Sequence, residues 1–107
     1  GPFIGIDDES DLAGVPTIEL AQNYPNPFNP HTRITFTITD EQYLELSVYN
    51  QLGQITKNLS AGTIAAGTHV ATWDGTNDEG MPVSSGIYFY QLKTYSSVIS
   101  RQMILLR

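Results

Sequence analysis

The sequence contains no cysteine, few basic residues and no long apolar run. Without cysteine the chain can form no disulfide framework, no thiolate metal site and no cysteine nucleophile. Its 5 Lys and Arg residues stand against 11 Asp and Glu residues, for a net charge of −6, and the bases form no patch, so nucleic-acid binding is not expected. Because no run of about 18 apolar residues occurs, we predict no membrane-spanning helix.

Length and charge distribution predict one domain behind a short linker. The 107 residues suffice for a single domain. Residues 1–19 hold five acids and no base, and residues 3–16 have no apolar period. We therefore predict an acidic flexible linker over residues 1–16, in which Gly1-Pro2 resembles a protease scar, and a folded domain over residues 17–107. No signal peptide is recognisable, so we expect any N-terminal export signal to lie upstream.

Alternation of apolar and polar residues predicts β-strands after the linker. Thr32–Thr39 places Ile34, Phe36 and Ile38 on one face, and Tyr43–Asn50 repeats the pattern. About seven such strands, separated by turn signals at intervals of roughly 8 to 12 residues, occur without a helical period. This pattern is typical of an all-β fold, and we predict an Ig-like antiparallel β-sandwich.

The stretch Tyr24–Pro30 contains three prolines, which fix their own backbone angles and keep the preceding residues out of the helical region. We interpret it as a stiff crossing between two sheets, with Phe28 anchored in the core. A proline-rich ligand for a groove on another protein is the alternative.

Residues 83–107 predict a closing β-hairpin, in which Ile87–Thr94 and Val98–Leu106 are joined by a tight connection. Met103–Leu106 is apolar at four successive positions, so both faces of this strand would be apolar. We favour a central strand that is buried on both sides. The alternative is a strand that keeps one face for a partner.

The acidic turn at residues 74–80 is a weak candidate for a calcium site. Asp74 and Asp78 occupy positions one and five of a calcium-binding loop, but Glu79 and Ser85 stand where such a loop needs Gly and Glu. Asp and Asn also favour turns by bonding to their own backbone. No zinc-ligand cluster, nucleophile elbow or phosphate-binding glycine motif occurs, so we expect no cofactor and no enzymatic activity.

Four tyrosines lie on strands in positions that the alternation would expose. Tyr43 and Tyr49 face outward on one strand, and Tyr88 and Tyr90 share a face on another. Exposed aromatic rings can stack on sugar rings, but tyrosines more often pack against cross-strand neighbours. We favour the structural role and keep carbohydrate binding as the alternative.

Four motifs occur in order along the chain: Leu20–Pro30, Leu46–Gly53, residues 67–75 with Trp73-Asp74-Gly75, and Ser85–Tyr88 followed by Arg101–Arg107. Together they strongly resemble the type A C-terminal sorting domain of type IX secretion substrates. The part from Leu46 through Tyr88 is also similar to the Ig-like domain of flagellar hook-capping proteins.

The resemblance implies a tail on a larger exported passenger protein of a Bacteroidetes-like bacterium. The passenger would cross the periplasm, the tail would be recognised by the outer-membrane translocon of the type IX system, and a sortase-like peptidase would cut within residues 3–16 and attach the passenger to the cell surface. The residues that match the family pattern, and that we expect to carry recognition, are Pro25, Asn26, Pro27, Phe28, Gly53, Gly86, Tyr88, Arg101 and Arg107. Gln102 departs from the pattern, which often has a second basic residue there.

We expect recognition to involve addition of a partner strand at the apolar end of the last strand, Met103–Leu106. The sequence is compatible with two other functions. The first is an accessory carbohydrate-binding module that uses the outward tyrosines. The second is a structural Ig-like spacer, which predicts further domains after Arg107.

Overall fold

The structure, a computed structural model, describes residues 17–107, so the predicted linker over residues 1–16 lies outside the described residues. It contains seven strands: β1 (Ile18–Leu20), β2 (Thr32–Ile38), β3 (Gln42–Tyr49), β4 (Ile55–Ile64), β5 (Gly67–Trp73), β6 (Gly86–Thr94) and β7 (Val98–Leu105). Within residues 17–107 there is no helix that could cross a membrane.

The strands form two antiparallel sheets that pack face to face. One has the order β1-β2-β5, and the other, which we call the C-terminal sheet, has the order β4-β3-β6-β7. The prediction of an Ig-like antiparallel sandwich is confirmed. The predicted closing hairpin is confirmed as well, since β6 and β7 pair from Gly86 opposite Leu105 to Lys93 opposite Val98.

The core lies between the two sheets and is built by the alternation that the sequence displays. Ile34, Phe36 and Ile38 of β2 all point inward and are buried, as do Leu44 and Leu46 of β3. Each fully buried aliphatic side chain stabilises the fold by about 1.5–3 kcal/mol relative to an exposed one. The other buried apolar residues are Leu20, Phe28, Val48, Trp73, Tyr88, Tyr90, Leu92, Met103 and Leu105.

The prediction that the last strand is central is wrong, because β7 lies at the edge of its sheet. Met103 and Leu105 point into the core and are fully buried, whereas Ile104 between them lies on the outer face and is half-buried. The apolar run therefore serves two different surfaces. Periodicity could not separate these cases, since a strand with a partly apolar outer face has the same sequence pattern as one buried on both sides.

The buried hydroxyl of Tyr90 ties the C-terminal sheet to the segment that follows β1. It donates a hydrogen bond to the Ala21 carbonyl (2.7 Å) and accepts one from the Asn23 backbone N–H (2.8 Å). Burial raises the pKa of Tyr90 above its usual value, and the bond from Asn23 and the charge of Arg101 oppose this shift. The contact satisfies two backbone groups that belong to no strand.

We expect Tyr90→Phe to lower the free energy of unfolding by about 1–3 kcal/mol, because it leaves the buried Asn23 N–H without an acceptor. Urea unfolding followed by circular dichroism measures this change. Tyr49→Phe is the matched control, since the Tyr49 hydroxyl makes only one 3.5 Å contact, to Gln91. That variant should stay within about 0.5 kcal/mol of the unsubstituted chain. Equal losses in the two variants would contradict the proposed role of the Tyr90 hydroxyl.

Candidate recognition surface

All but one of the residues predicted to carry recognition gather at one end of the sandwich. We call this the motif end; it comprises residues 24–30, the turn at residues 50–53, residues 84–88 and residues 104–107. Phe28 pairs with Leu105, which lies opposite Gly86. The turn that contains Gly53 borders two surface depressions there, and one of them is also lined by Gly86 and Tyr88. The exception is Arg101, opposite Tyr90 in the middle of the strand pair.

Phe28 closes the outer edge of β7. Its backbone forms a parallel bridge to Leu105: its N–H donates to the Ile104 carbonyl (3.0 Å) and its carbonyl accepts from the Leu106 N–H (2.9 Å). Asn26 Oδ1 accepts from the Ile104 N–H (3.0 Å). The backbone of residues 104–106 is therefore already engaged, and the expected addition of a partner strand at Met103–Leu106 does not fit the structure.

The proline-containing segment crosses from one sheet to the other, as predicted. At its start Tyr24 pairs with Arg33 of β2, and at Phe28 it reaches β7 of the opposite sheet. The side chain of Asn23, which is buried, donates to the Pro25 carbonyl (3.1 Å) and to the Thr32 hydroxyl (2.9 Å). Sequence reasoning missed Asn23, although its place inside the first motif was a signal.

An aromatic cluster lies behind Phe28 in the core. The Trp73 ring packs 5.6 Å from that of Phe28 and 5.2 Å, edge-on, from that of Tyr88. Trp73 Nε1 donates to the Thr76 carbonyl (2.8 Å), and the Tyr88 hydroxyl donates to the Ser84 carbonyl (2.7 Å). Tyr88 thus connects the core to the loop before β6. Its side chain lies inside the motif end and not on its surface.

The predicted outward pair of Tyr88 and Tyr90 is wrong, because both side chains are buried. Their face of β6 is the core face, as the alternation with half-buried Ile87 and Phe89 indicates. Tyr43 does face outward and is 52% exposed. A hydrogen bond from its hydroxyl to Glu45 (3.1 Å) raises the pKa of Tyr43. The face of β6 that carries Tyr88 and Tyr90 is therefore not available to a sugar.

Both predicted basic residues contact backbone carbonyls. Arg107 Nε donates to the Val83 carbonyl (2.6 Å), and its Nη2 donates to the Gly75 carbonyl. The Arg107 N–H also donates to Ser85 Oγ (2.8 Å). Arg101 Nε donates to the Leu20 carbonyl (2.6 Å), which joins β7 to the edge strand of the other sheet. These contacts assign both arginines a structural role beside the predicted one.

The side chains of Asp74 and Asp78, in the turn at residues 74–80, bond to the chain itself, as expected for a structural turn. Asp74 Oδ1 accepts from the Thr76 hydroxyl (2.6 Å), which is the main reason why the pKa of Asp74 is lowered. Asp78 Oδ1 accepts from the Asn58 backbone N–H (3.0 Å). The two carboxylates bond to separate parts of the chain, and residues 17–107 contain no group of three acidic or histidine side chains that could hold a metal.

The chain enters the domain at the end opposite the motif end. Thr17 bonds to Thr39, and Ile18 pairs with Ile38, whose other neighbour is Gly67. At the other end of the same sheet, Thr32 pairs with Trp73, the aromatic neighbour of Phe28. The described chain therefore begins at the end of this sheet that lies away from Trp73 and the motif end.

Comparison with known proteins identifies relatives of this fold. The profile of the FlgD Ig-like domain matches residues 28–97, more than half of the chain. The basal-body rod modification protein FlgD of Salmonella typhimurium is 33% identical over 82 residues, which cover 72% of this chain and 31% of that protein. The chain therefore spans about a third of the length of this relative.

Two solved structures from Porphyromonas gingivalis are similar in fold. Dimeric latent PorU superimposes with a TM-score of 0.68 at 14% identity, covering 87% of this chain and 10% of that one. PorZ, an essential bacterial surface component of the type IX secretion system, superimposes with a TM-score of 0.55 at 17% identity, covering 92% of this chain and 12% of that one. At these identities the likeness concerns the fold alone.

The Arg107 contact predicts different costs for two glycine substitutions. Gly75 and Gly80 both have positive φ (76° and 81°), so alanine costs about 1–2 kcal/mol at either position. At Gly75 the new Cβ would also lie 2.7 Å from Arg107 Nη2, whereas at Gly80 it would meet nothing within 4 Å. Gly75→Ala should therefore lower the free energy of unfolding by roughly 1–2 kcal/mol more than Gly80→Ala, because it displaces a charged hydrogen-bond donor.

Urea unfolding of both variants, each with and without Arg107→Ala, checks this expectation. Once Arg107 is alanine, the costs at Gly75 and Gly80 should become similar. An excess cost at Gly75 that persists without the guanidinium would mean that the close Pro30 carbonyl, 3.4 Å from the new Cβ, is responsible instead.

Proposed function

The chain belongs to the FlgD Ig-like domain family, and from this premise we propose that it serves as a sorting domain of the type IX secretion system. In this role the folded domain is the signal that the outer-membrane translocon reads, and a larger passenger protein is the cargo. The domain itself performs no reaction. The passenger leaves through the periplasm and ends at the cell surface or outside the cell.

The convergence of the motif residues is the observation that carries this proposal. Residues from Pro25 to Arg107 that match the sorting-domain pattern are far apart in sequence, yet all except Arg101 lie at one end of the fold. A signal that is read after folding has to be a surface. The exposed members of this group, Pro25, Asn26, Pro27, Gly53 and Arg107, provide such a surface, whereas Phe28 and Tyr88 are buried beneath it.

The direction of the chain suits a tail that is recognised while its cargo is attached. The segment before Thr17 joins the domain opposite the motif end, so the point of attachment leaves that end open. Cleavage by a sortase-like peptidase between residues 3 and 16 would then separate the passenger from the domain. The fold likeness covers only 10% of PorU and 12% of PorZ, which supports a domain that is one module of a larger protein.

A second candidate is a module of a flagellar hook-capping protein. The 33% identity to FlgD of Salmonella typhimurium over 82 residues favours it. If this function is correct, replacing the matched part of that FlgD with this chain should restore motility to cells that lack FlgD, and the chain should direct no export.

We expect a fluorescent protein with an N-terminal signal peptide to appear outside the cell when residues 1–107 are fused to its C-terminus. The host is a bacterium with a type IX system, and fluorescence is measured in the medium, on the cell surface and in the periplasm. The same fusion in a host without the translocon should remain in the periplasm. Export that does not require the domain or the translocon would refute the sorting function.

Deleting the last few residues would not separate recognition from folding. Removing residues 104–107 deletes the fully buried Leu105 as well as the Arg107 contacts, so loss of export could reflect unfolding. Arg107→Ala keeps Leu105, and its unfolding free energy can be measured separately. If the predicted basic signal is read directly, Arg107→Ala should reduce export by more than its loss of folded protein explains.

A further inference from the structure

We propose that the outer edge of β5 is a docking site for a second copy of this chain, and that the two β5 strands pair antiparallel about Val70. The pairing joins the two three-stranded sheets into one continuous sheet of order β1-β2-β5-β5-β2-β1. This inference goes beyond the proposed function, because it concerns self-association of the domain and does not depend on its export.

Three residues of β5 direct their backbone groups away from the sheet. On β2, the backbone groups of Arg33 and Thr35 bond to the segment that follows β1. Because this direction alternates along a strand, the residues of β5 opposite the others face outward; they are Thr68, Val70 and Thr72. All three are exposed. Within residues 17–107, no loop or side chain bonds to their N–H and carbonyl groups.

The other three edges of the sandwich are blocked or interrupted. On β7, the segment around Phe28 bonds to residues 104–106. On β4, Asp78 bonds to two backbone groups, and two register shifts interrupt the pairing with β3. β1 has only three residues, and Arg101 occupies the carbonyl of Leu20. By contrast, β5 pairs with β2 over seven residues without a register shift and contains no acidic residue, lysine, arginine or proline, which are residues that usually protect an edge.

The sequence of β5 is self-complementary about Val70. Antiparallel pairing centred there places Val70 of each copy opposite the other and Thr68 opposite Thr72. Each of the three pairs exchanges two hydrogen bonds, so every outward N–H and carbonyl group finds a partner. Val70 is 59% exposed and would be covered by a second valine. On the inner face, the large His69 would lie opposite the small Ala71 of the second copy.

The charges that flank the edge favour a second copy as the occupant. On the outer face, the row of side chains that starts at Thr68 continues through Thr37 to Glu19, whereas the row that starts at Thr72 reaches Arg33. The proposed pairing joins Thr68 of each copy to Thr72 of the other, so each combined row ends in an acid on one copy and a base on the other. The backbone groups would accept any extended strand, but the match of both rows is a property of this chain paired with itself.

Sedimentation velocity of the full chain tests the pairing. The unsubstituted chain should pass from monomer to dimer as its concentration rises from roughly 5 µM to 1 mM. Val70→Lys should weaken association about tenfold or more, because two like charges then lie directly opposite each other. Val70→Glu should have the same effect. An equimolar mixture of the two variants should associate again, since opposite charges then face each other.

Ile55→Lys is the matched control. Ile55 is also β-branched and 55% exposed on an edge strand, but it belongs to the C-terminal sheet. Its substitution should leave the association constant unchanged. Urea unfolding should show that all variants are folded, and recovery of association in the mixture separates a charge effect from a loss of structure, because an unfolded variant would gain nothing from the second one.

Hydrogen exchange gives a second readout at the groups themselves. The N–H groups of Thr68, Val70 and Thr72 should exchange slowly at high concentration and rapidly after dilution. The N–H groups of His69 and Ala71 bond to β2, so they should exchange slowly at both concentrations.

Three outcomes would overturn the proposal. A chain that stays monomeric at about 1 mM has no such interface. A dimer that Val70→Lys leaves intact, or a mixture of the two charged variants that does not associate, would place the interface elsewhere or in another register. Slow exchange of the three outward N–H groups at every dilution would assign the edge to a partner within the same chain, such as residues 1–16.

Discussion

Backbone N–H and carbonyl groups at the edge of a sheet need hydrogen-bond partners. This structure depends on the partners that these groups find at the edge of β7. A sandwich has edges wherever its sheets do not continue, and bare edges invite pairing with other chains. Here Phe28 and Asn26 supply backbone and side-chain partners to residues 104–106, and Gln22 Nε2 donates to the Gln102 carbonyl (2.8 Å). The same contacts anchor Phe28 against Trp73 and join the two sheets.

Residues of three of the four motifs take part in this closure. The proline-containing segment supplies Phe28, Trp73 receives its ring, Gly75 leaves space for the Arg107 guanidinium, and Ser85 accepts from the Arg107 N–H. Residues that match a recognition pattern are thus also residues that hold the last strand in place. Loss of function at such a residue therefore reports on folding and on recognition together.

The sequence was sufficient to predict the strands, the sandwich and the closing hairpin, because alternation reports which side chains of a strand share a face. The sequence did not indicate which strands lie at the edge of a sheet and which lie in its middle. Nothing in Met103–Leu106 distinguishes an edge strand from a central one, and the core face of β6 could not be chosen between Tyr88 and Phe89 by period alone. The contacts of Arg101 and Arg107 also escaped prediction, since they join backbone carbonyls that are remote in sequence.

The bridge between Phe28 and Leu105 has a consequence for synthesis of the protein. Its two partners lie near opposite limits of the described chain, so the contact cannot form until the ribosome has released almost the whole domain. A prematurely terminated polypeptide lacks the final strand and leaves Phe28 without its backbone partner. The closed end of the sandwich therefore forms only in chains in which β7 has been synthesised and has paired with Phe28.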